Sequence, residues 1–206
     1  LEWTLHMTNT LLLPIHTWGT VDLDHELGSK KPFSPAWLRT ETIGRQIGNY
    51  PLSLYPVSGR GNPLMKKLAE ERRARAEWGK CFVHEIRAGG KYDRLVRDFG
   101  YATDQVRVHN YWAETPVLRV RPDPVKWIVL EKPETKELLI VLASWAEEAV
   151  RAEVELAPAV LDWDPQPARI VDALSGDKAG SGRSFEVDLA GPYGVRPACD
   201  RRDHHR

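Results

Sequence analysis

The chain has 206 residues, enough for one large or two small domains, and its 29 basic and 29 acidic side chains cancel to a formal net charge of zero. Without excess positive charge it has no general attraction for nucleic acid or an anionic membrane surface, so neither is an expected partner. No apolar run reaches the roughly 20 residues of a membrane-spanning helix, and Cys81 and Cys199 are too far apart for a redox or zinc motif.

The first residues alternate strand-like and helix-like segments. The apolar stretches 3–8 and 11–18 are typical of short buried strands, or of a strand followed by its loop. Ser34 followed by Pro35 has the pattern of a helix N-cap, so a helix of about 12 residues is expected there. Residues 51–57 predict another short strand, whose prolines would restrict it to the end or edge of a sheet.

Three acidic residues occupy every second position of the segment TVDLDHELG, residues 20–28. In a strand Asp22, Asp24 and Glu26 would share one face, with neighbouring side chains about 6.5 to 7 Å apart at their bases. Carboxylates at that separation could flank a glycosidic bond, bind sugar hydroxyls or ligate calcium. An exposed edge strand or an acidic helix start fits the spacing equally, so both interpretations stay open.

Two candidate ligand-binding residues precede this segment, His16 and Trp18, on one face of a predicted strand. At the rim of an α/β barrel they would face a ligand, where histidine can donate to a sugar hydroxyl and tryptophan can stack on a sugar ring. A half-buried histidine beside a core tryptophan is the alternative.

Residues 63–86 have the pattern of a long amphipathic helix with a charged outer face. His84 is followed by Glu85, but a zinc helix of the HExxH type needs a second histidine where Ala88 stands, so no metal site is predicted. A short helix should follow and end at Gly100.

The segment VRVHNYW, residues 106–112, is strongly strand-like and places His109 and Trp112 on opposite faces. If it closes a barrel, one of these residues lines the mouth and the other packs outside. A seam between domains that is filled by aromatic residues is the other interpretation.

From about Thr115 the helical pattern nearly vanishes and short strands follow one another between turns. The expected strands are 126–131, 137–145, 150–156, 168–174, 184–189 and 193–198, with 176–184 as a loop. In 150–156 and 184–189 apolar and charged residues alternate, which indicates one solvated face, whereas 137–145 is apolar on both faces like a central strand. An antiparallel β-sandwich is therefore predicted.

The predicted fold class is α/β, the C-terminal portion of a (β/α) barrel in residues 1–114, followed by an all-β antiparallel sandwich in residues 115–200 and a tail, residues 201–206. The chain begins at Leu1 within a strand-like segment, so the front of the barrel is expected upstream. The compartment stays open, an extracytoplasmic one included, as does the oligomeric state.

Several segments resemble bacterial proteins related to glycoside hydrolase family 123: HMTNTLLLPIHTW, GRQIGNYPLSLYPVSG, VRVHNYW, and LLIVLASWAEEAVRAEVEL followed by ARIVDALSG. The last run also resembles the sandwich that caps amylase-type and galactosidase-type barrels. The resemblance implies a carbohydrate-active enzyme with its chemistry at the C-terminal rim of the barrel. Family 123 enzymes use an adjacent Asp-Glu pair with the substrate's acetamido group, and this chain has no such dipeptide.

The resulting prediction is a fragment of a glycoside hydrolase that binds a carbohydrate, needs no cofactor, and has its catalytic carboxylates upstream. The candidate sugar-contacting residues are His16, Trp18, Asp22, Asp24, Glu26, His109 and Trp112. The alternative is a non-catalytic carbohydrate-binding or structural β-sandwich module.

Overall fold

The structure is a computed structural model that describes residues 4–6, 21–23, 34–41, 50–52, 75–87, 90–165, 169–189 and 195–200. The chain forms two compact units, residues 1–94 and residues 95–206. Within the described ranges, no helix combines the length and the apolar character needed to cross a bilayer.

The first unit contains a three-stranded parallel sheet. Its strands are β1 (Thr4–His6), β2 (Val21–Leu23) and β3 (Tyr50–Leu52), with β2 in the middle. Parallel neighbours require a crossover connection, and the helix Pro35–Glu41 lies between β2 and β3 in sequence. This strand–helix–strand order is that of an α/β unit. The larger barrel stays a prediction, because the sheet found among the described residues of this unit has three strands.

The helix Pro35–Glu41 begins where the sequence predicts it. The Leu38 N–H donates to the carbonyl of Ser34 at 3.1 Å, which makes Ser34 the N-cap. Leu38 is buried and anchors the helix on its apolar side. The helix is described as far as Glu41, and the remainder of the predicted span lies outside the described residues.

Residues 75–82 are helical, within the segment predicted as one helix over 63–86. The helix ends before the predicted boundary, because the N–H groups of Glu85 and Ile86 donate back to carbonyls of the last turn at 2.8 and 3.1 Å. Glu85 has a φ of 63°, the left-handed conformation that closes a helix in a Schellman motif. A non-glycine residue in this conformation carries steric strain between its Cβ and the backbone.

A second helix, Gly90–Asp98, ends in the same way but with glycine at the critical position. The N–H groups of Gly100 and Tyr101 donate back to the last turn at 2.8 and 2.9 Å, and Gly100 has a φ of 96°. This confirms the predicted helix end, because glycine adopts positive φ without a Cβ penalty.

The second unit consists mainly of antiparallel strands. They are β4 (Arg107–Asn110), β5 (Leu118–Arg121), β6 (Val125–Lys132), β7 (Glu137–Ser144), β8 (Val150–Leu156), β9 (Arg169–Asp172), β10 (Lys178–Ser181), β11 (Ser184–Leu189) and β12 (Val195–Asp200). A six-stranded sheet has the order β10-β9-β12-β7-β6-β4, and a three-stranded sheet has the order β11-β8-β5. The predicted antiparallel sheets are therefore confirmed.

One hydrophobic core joins the inner faces of these two sheets. Ala152, Val154 and Leu156 of β8 are buried while the residues between them are exposed, as the alternation predicts. β7 is buried on both faces from Leu138 to Ser144 and lies between β12 and β6, so it is the central strand that its apolar sequence predicts.

Three segments of this unit differ from the prediction. β4 pairs antiparallel with β6, so residues 107–110 belong to the six-stranded sheet and do not form a closing barrel strand. Residues 178–181, predicted as loop, form the edge strand β10 against β9. Residues 118–121 form β5, a strand that the sequence did not predict.

Substitutions at the two helix ends should change the free energy of unfolding in opposite directions. Replacing Glu85 with glycine should raise the free energy of unfolding by about 1 kcal/mol, because the strain of a left-handed non-glycine residue disappears. Replacing Gly100 with alanine should lower it by about 1 to 2 kcal/mol, since a Cβ there would also meet Val106 Cγ2 at 3.3 Å. Urea unfolding measures both values.

Glu85→Ala is the matched control for the first substitution. It removes the same carboxylate but keeps a Cβ, so it should not gain stability. Equal stability of the glycine and alanine variants would show that the side chain, and not the backbone conformation, sets the effect.

Candidate functional site

The parallel sheet of the first unit carries Asp22, one of the three alternating acids. Asp22 is the central residue of β2, and the register pairs it with Leu5 on β1 and Pro51 on β3. The chain passes through β2 and leaves it after Leu23 towards Asp24. In open parallel sheets, ligands bind beyond the carboxyl ends of the strands, which is the end that β2 reaches at this point.

Four of the predicted site residues, His16, Trp18, Asp24 and Glu26, lie outside the described residues. The predicted convergence of the three acids on one strand face therefore stays a prediction.

His109 lies on β4 and binds a buried carboxylate of the neighbouring strand. Its Nε2 is 2.8 Å from Oε2 of Glu131, and the Glu131 side chain is completely buried. The other carboxylate oxygen, Oε1, accepts a hydrogen bond from the indole N–H of Trp163 at 2.9 Å. Both oxygens of this buried acid are thus satisfied, which offsets much of the cost of removing a carboxylate from water.

Strand geometry explains why Glu131 is buried. It follows Val125, Trp127 and Val129 at every second position of β6, and that face of the strand belongs to the core. The register places His109 opposite Val129, on the same face. The sequence did not single out Glu131, although its phase within the apolar alternation of KWIVLEK was the signal that could have found it.

Arg107 extends this polar cluster to the surface. Its guanidinium donates to Asp162 at 2.5 Å, and the register places it opposite Glu131. The hydrogen bond and the charge of Asp162, with a smaller contribution from Glu131, raise the pKa of Arg107 above its usual value. The cluster therefore runs from a solvent-exposed ion pair to a fully buried acid.

Trp112, the second predicted site residue of this segment, packs against its neighbour in sequence. Its ring meets that of Tyr111 edge-on, with 4.8 Å between the ring centroids. The Lys126 ammonium lies 5.4 Å from the centroid of the Tyr111 ring, within cation–π range. Tyr111 packs against the sandwich core, so this aromatic pair helps to close the sandwich.

The first unit also contains buried polar side chains that the sequence analysis did not predict, Lys80 and His84. Lys80 is 3% exposed, and burial lowers the pKa of its ammonium group, partly offset by the charge of Glu77. The ring of the completely buried His84 hydrogen-bonds through Nδ1 to the carbonyl of Lys80 at 2.8 Å. Because a carbonyl oxygen only accepts, Nδ1 is the donor of this hydrogen bond.

Within the described ranges, no group of three or more histidine, cysteine or acidic side chains is arranged to hold a metal ion.

The fold resembles that of two solved glycosidases. The GH27 β-L-arabinopyranosidase of Geobacillus stearothermophilus, solved in complex with arabinose, aligns with a TM-score of 0.53 at 9% identity over 94% of this chain and 48% of its own. The α-galactosidase I of Mortierella vinacea aligns with a TM-score of 0.51 at 10% identity over 90% of this chain and 54% of its own. This chain thus spans about half the length of each neighbour.

No family model matches the sequence, and no curated protein matches it. At such low identity, the likeness concerns the fold alone. The likeness supports a glycoside-hydrolase-like fold. One of the two neighbours is an α-galactosidase, and the sequence of the sandwich resembles those of galactosidase-type enzymes. The relation to family 123 stays a prediction.

Two substitutions of the buried Glu131 should lower the free energy of unfolding by different amounts. Glu131→Ala should lower the free energy of unfolding by about 3 kcal/mol, because it leaves the Trp163 N–H and the His109 ring without their buried partner. Glu131→Gln keeps one acceptor oxygen and should cost about 1 to 2 kcal/mol. Urea unfolding followed by near-ultraviolet circular dichroism measures both.

Glu134→Ala serves as the control, since Glu134 is exposed in the turn between β6 and β7. This change should stay within about 0.5 kcal/mol of the wild type. If Glu131→Ala were as mild as the control, the buried cluster would have no structural role.

Proposed function

We propose that the chain is the C-terminal portion of a carbohydrate-active enzyme, a glycoside hydrolase. In this proposal the first unit supplies the last part of a (β/α) barrel, and the second is the accessory β-sandwich. The observation that carries the proposal is the shared fold with two glycosidases, in a chain whose parallel strands precede its antiparallel sheets. The coverage of about half of each neighbour supports the view that a complete enzyme contains further barrel strands.

The sugar-binding residues in this proposal belong to the first unit. Asp22 lies on the central strand of the parallel sheet, and Asp24 and Glu26 follow its carboxyl end in sequence. Carboxylates there can accept hydrogen bonds from sugar hydroxyls, while His16 can donate one and Trp18 can stack on an apolar sugar face. The two carboxyl groups that break the glycosidic bond would lie upstream, because a barrel enzyme takes its catalytic residues from several strand ends.

The candidates of the second unit fit a structural role better. His109 is hydrogen-bonded to a buried carboxylate, and Trp112 packs edge-on against Tyr111. Both contacts stabilise the sandwich without a ligand. We therefore assign sugar contact to the first-unit residues and leave His109 and Trp112 to the sandwich.

A non-catalytic carbohydrate-binding or structural module is the second candidate function. It is favoured by the second unit itself, whose two sheets enclose their own core and whose buried acid is satisfied internally. A sandwich with these properties can support a neighbouring catalytic domain without performing chemistry.

Binding of sugars to the 206-residue chain tests the proposal. Saturation-transfer NMR with galactose and arabinose should detect binding, and Asp22→Asn should weaken it by about tenfold, the effect of losing one charge-assisted hydrogen bond. Chromogenic α-galactosides and β-L-arabinopyranosides should show no hydrolysis until the upstream region is added to the chain.

The matched control is Asp188→Asn, which removes the same charge from the exposed face of the sandwich. It should leave sugar binding unchanged. Failure of the folded chain to bind any sugar would reject the sugar-site assignment, and equal effects of the two substitutions would reject the role given to Asp22.

A further inference from the structure

The strand β5 has an edge that no other strand covers in the part of the chain that the structure describes. It is the last strand of the order β11-β8-β5 and pairs only with β8. The open edge of a strand presents N–H and C=O groups with which a further extended segment can pair. Such an edge is therefore a place where a sheet can grow by one strand.

A cavity of about 350 Å³ runs along this edge. All residues of β5, Leu118 to Arg121, contribute to its lining, although Leu118 is 1% exposed and packs in the core. Tyr111, Lys126 and Trp127 also line the cavity.

The charge of this cavity is predominantly positive. Arg119, Arg121 and Lys126 line it, against the single carboxylate of Asp123. Lys126 pairs with Asp123 at 3.1 Å, and Arg119 approaches Glu155 only to 3.9 Å. Within the described ranges, Arg121 forms no ion pair, so its charge is available to an incoming acid.

The paired edge of β5 shows which residues match this strand. On β8, Glu155 lies opposite Arg119 and Glu153 opposite Arg121. Between them, Val154 lies opposite Val120 and shares its inward face. β8 is therefore complementary to β5, with acidic residues on the solvent face and apolar residues on the core face.

We propose that the free edge of β5 binds an extended peptide segment in which acidic and apolar residues alternate. The segment would add a fourth strand to the three-stranded sheet, with backbone hydrogen bonds to β5. Its acidic side chains would meet Arg119 and Arg121, as those of β8 do, while its apolar side chains would cover the cavity beside Leu118 and Val120. The partner is a protein with an exposed acidic–apolar strand, and the proposal is independent of any sugar chemistry.

Calorimetric titration of the 206-residue chain with the peptide acetyl-VEVEVE-amide tests the proposal. Saturable binding is expected. The isomer acetyl-VVVEEE-amide has the same charge without the alternation. An acetyl-VEVEVE-amide methylated on all of its backbone nitrogens has the side chains but no backbone N–H donors. Each should bind at least about tenfold more weakly.

Charge reversal supplies the complementary test. The double variant Arg119→Glu with Arg121→Glu should lose affinity for the acidic peptide by at least about tenfold and gain affinity for acetyl-VKVKVK-amide. Lys136→Glu, in the exposed turn between β6 and β7, is the single-site control and should bind the acidic peptide like the wild type. Circular dichroism verifies that each variant is folded. A gain of affinity for acetyl-VKVKVK-amide also distinguishes charge reversal from unfolding, because an unfolded variant should not gain affinity.

Several results would overturn the proposal. Absence of binding by the folded wild type excludes the strand-addition site. Equal affinity for the alternating and blocked peptides, or for free glucuronate, indicates a simple anion site instead of strand pairing. An equal loss in the Lys136→Glu variant assigns the effect to overall charge.

Discussion

The second unit depends on the burial of the β6–β7 hairpin on both faces. From Leu138 to Ser144 every residue of β7 is buried, and β6 is buried from Trp127 to Glu131. Each large apolar side chain removed from water contributes about 1.5 to 3 kcal/mol, so this hairpin concentrates much of the favourable burial in two adjacent strands. The neighbours β4 and β12 pair with its two edges.

The same burial dictates the environment of Glu131. β6 is buried from Trp127 to Glu131, so its last inward position lies inside the core whatever residue stands there. A carboxylate at such a position requires hydrogen-bond donors, and His109 and Trp163 supply them from β4 and from the segment after β8. His109 therefore has a structural partner in the sandwich, because its ring is hydrogen-bonded to the buried Glu131.

The sequence predicted the elements whose pattern is local. The alternation in β8, the apolar run of β7 and the glycine after the second helix depend on residues close in the chain, and all three are confirmed. β10 was missed because its composition is that of a loop. It becomes a strand through pairing with β9, and it needs Gly180, since a Cβ there would approach Phe185 Cβ to 2.6 Å.

The candidate site was predicted less completely for a related reason. β5 lies between prolines, so its pattern is that of a connection, and only the register with β8 reveals its alternating arginines. The His109–Glu131 pair joins residues 22 positions apart in the chain, a contact that periodicity does not show. Asp22 could be placed on a strand from the sequence, but the parallel pairing that makes β2 central depends on residues far away in the chain.

The two units therefore offer different opportunities for function. In the sandwich, several charged side chains of the three-stranded sheet form cross-strand pairs, such as that of Arg151 with Asp188 at 2.9 Å, and the buried acid is hydrogen-bonded on both oxygens. Groups committed in this way stabilise a fold but cannot readily exchange their partners for a substrate. Parallel strands instead end in connections whose side chains need not serve the sheet, and Asp24 and Glu26 follow β2 in sequence. This difference is the physical reason to seek sugar chemistry in the first unit and protein contacts at the open edge of the second.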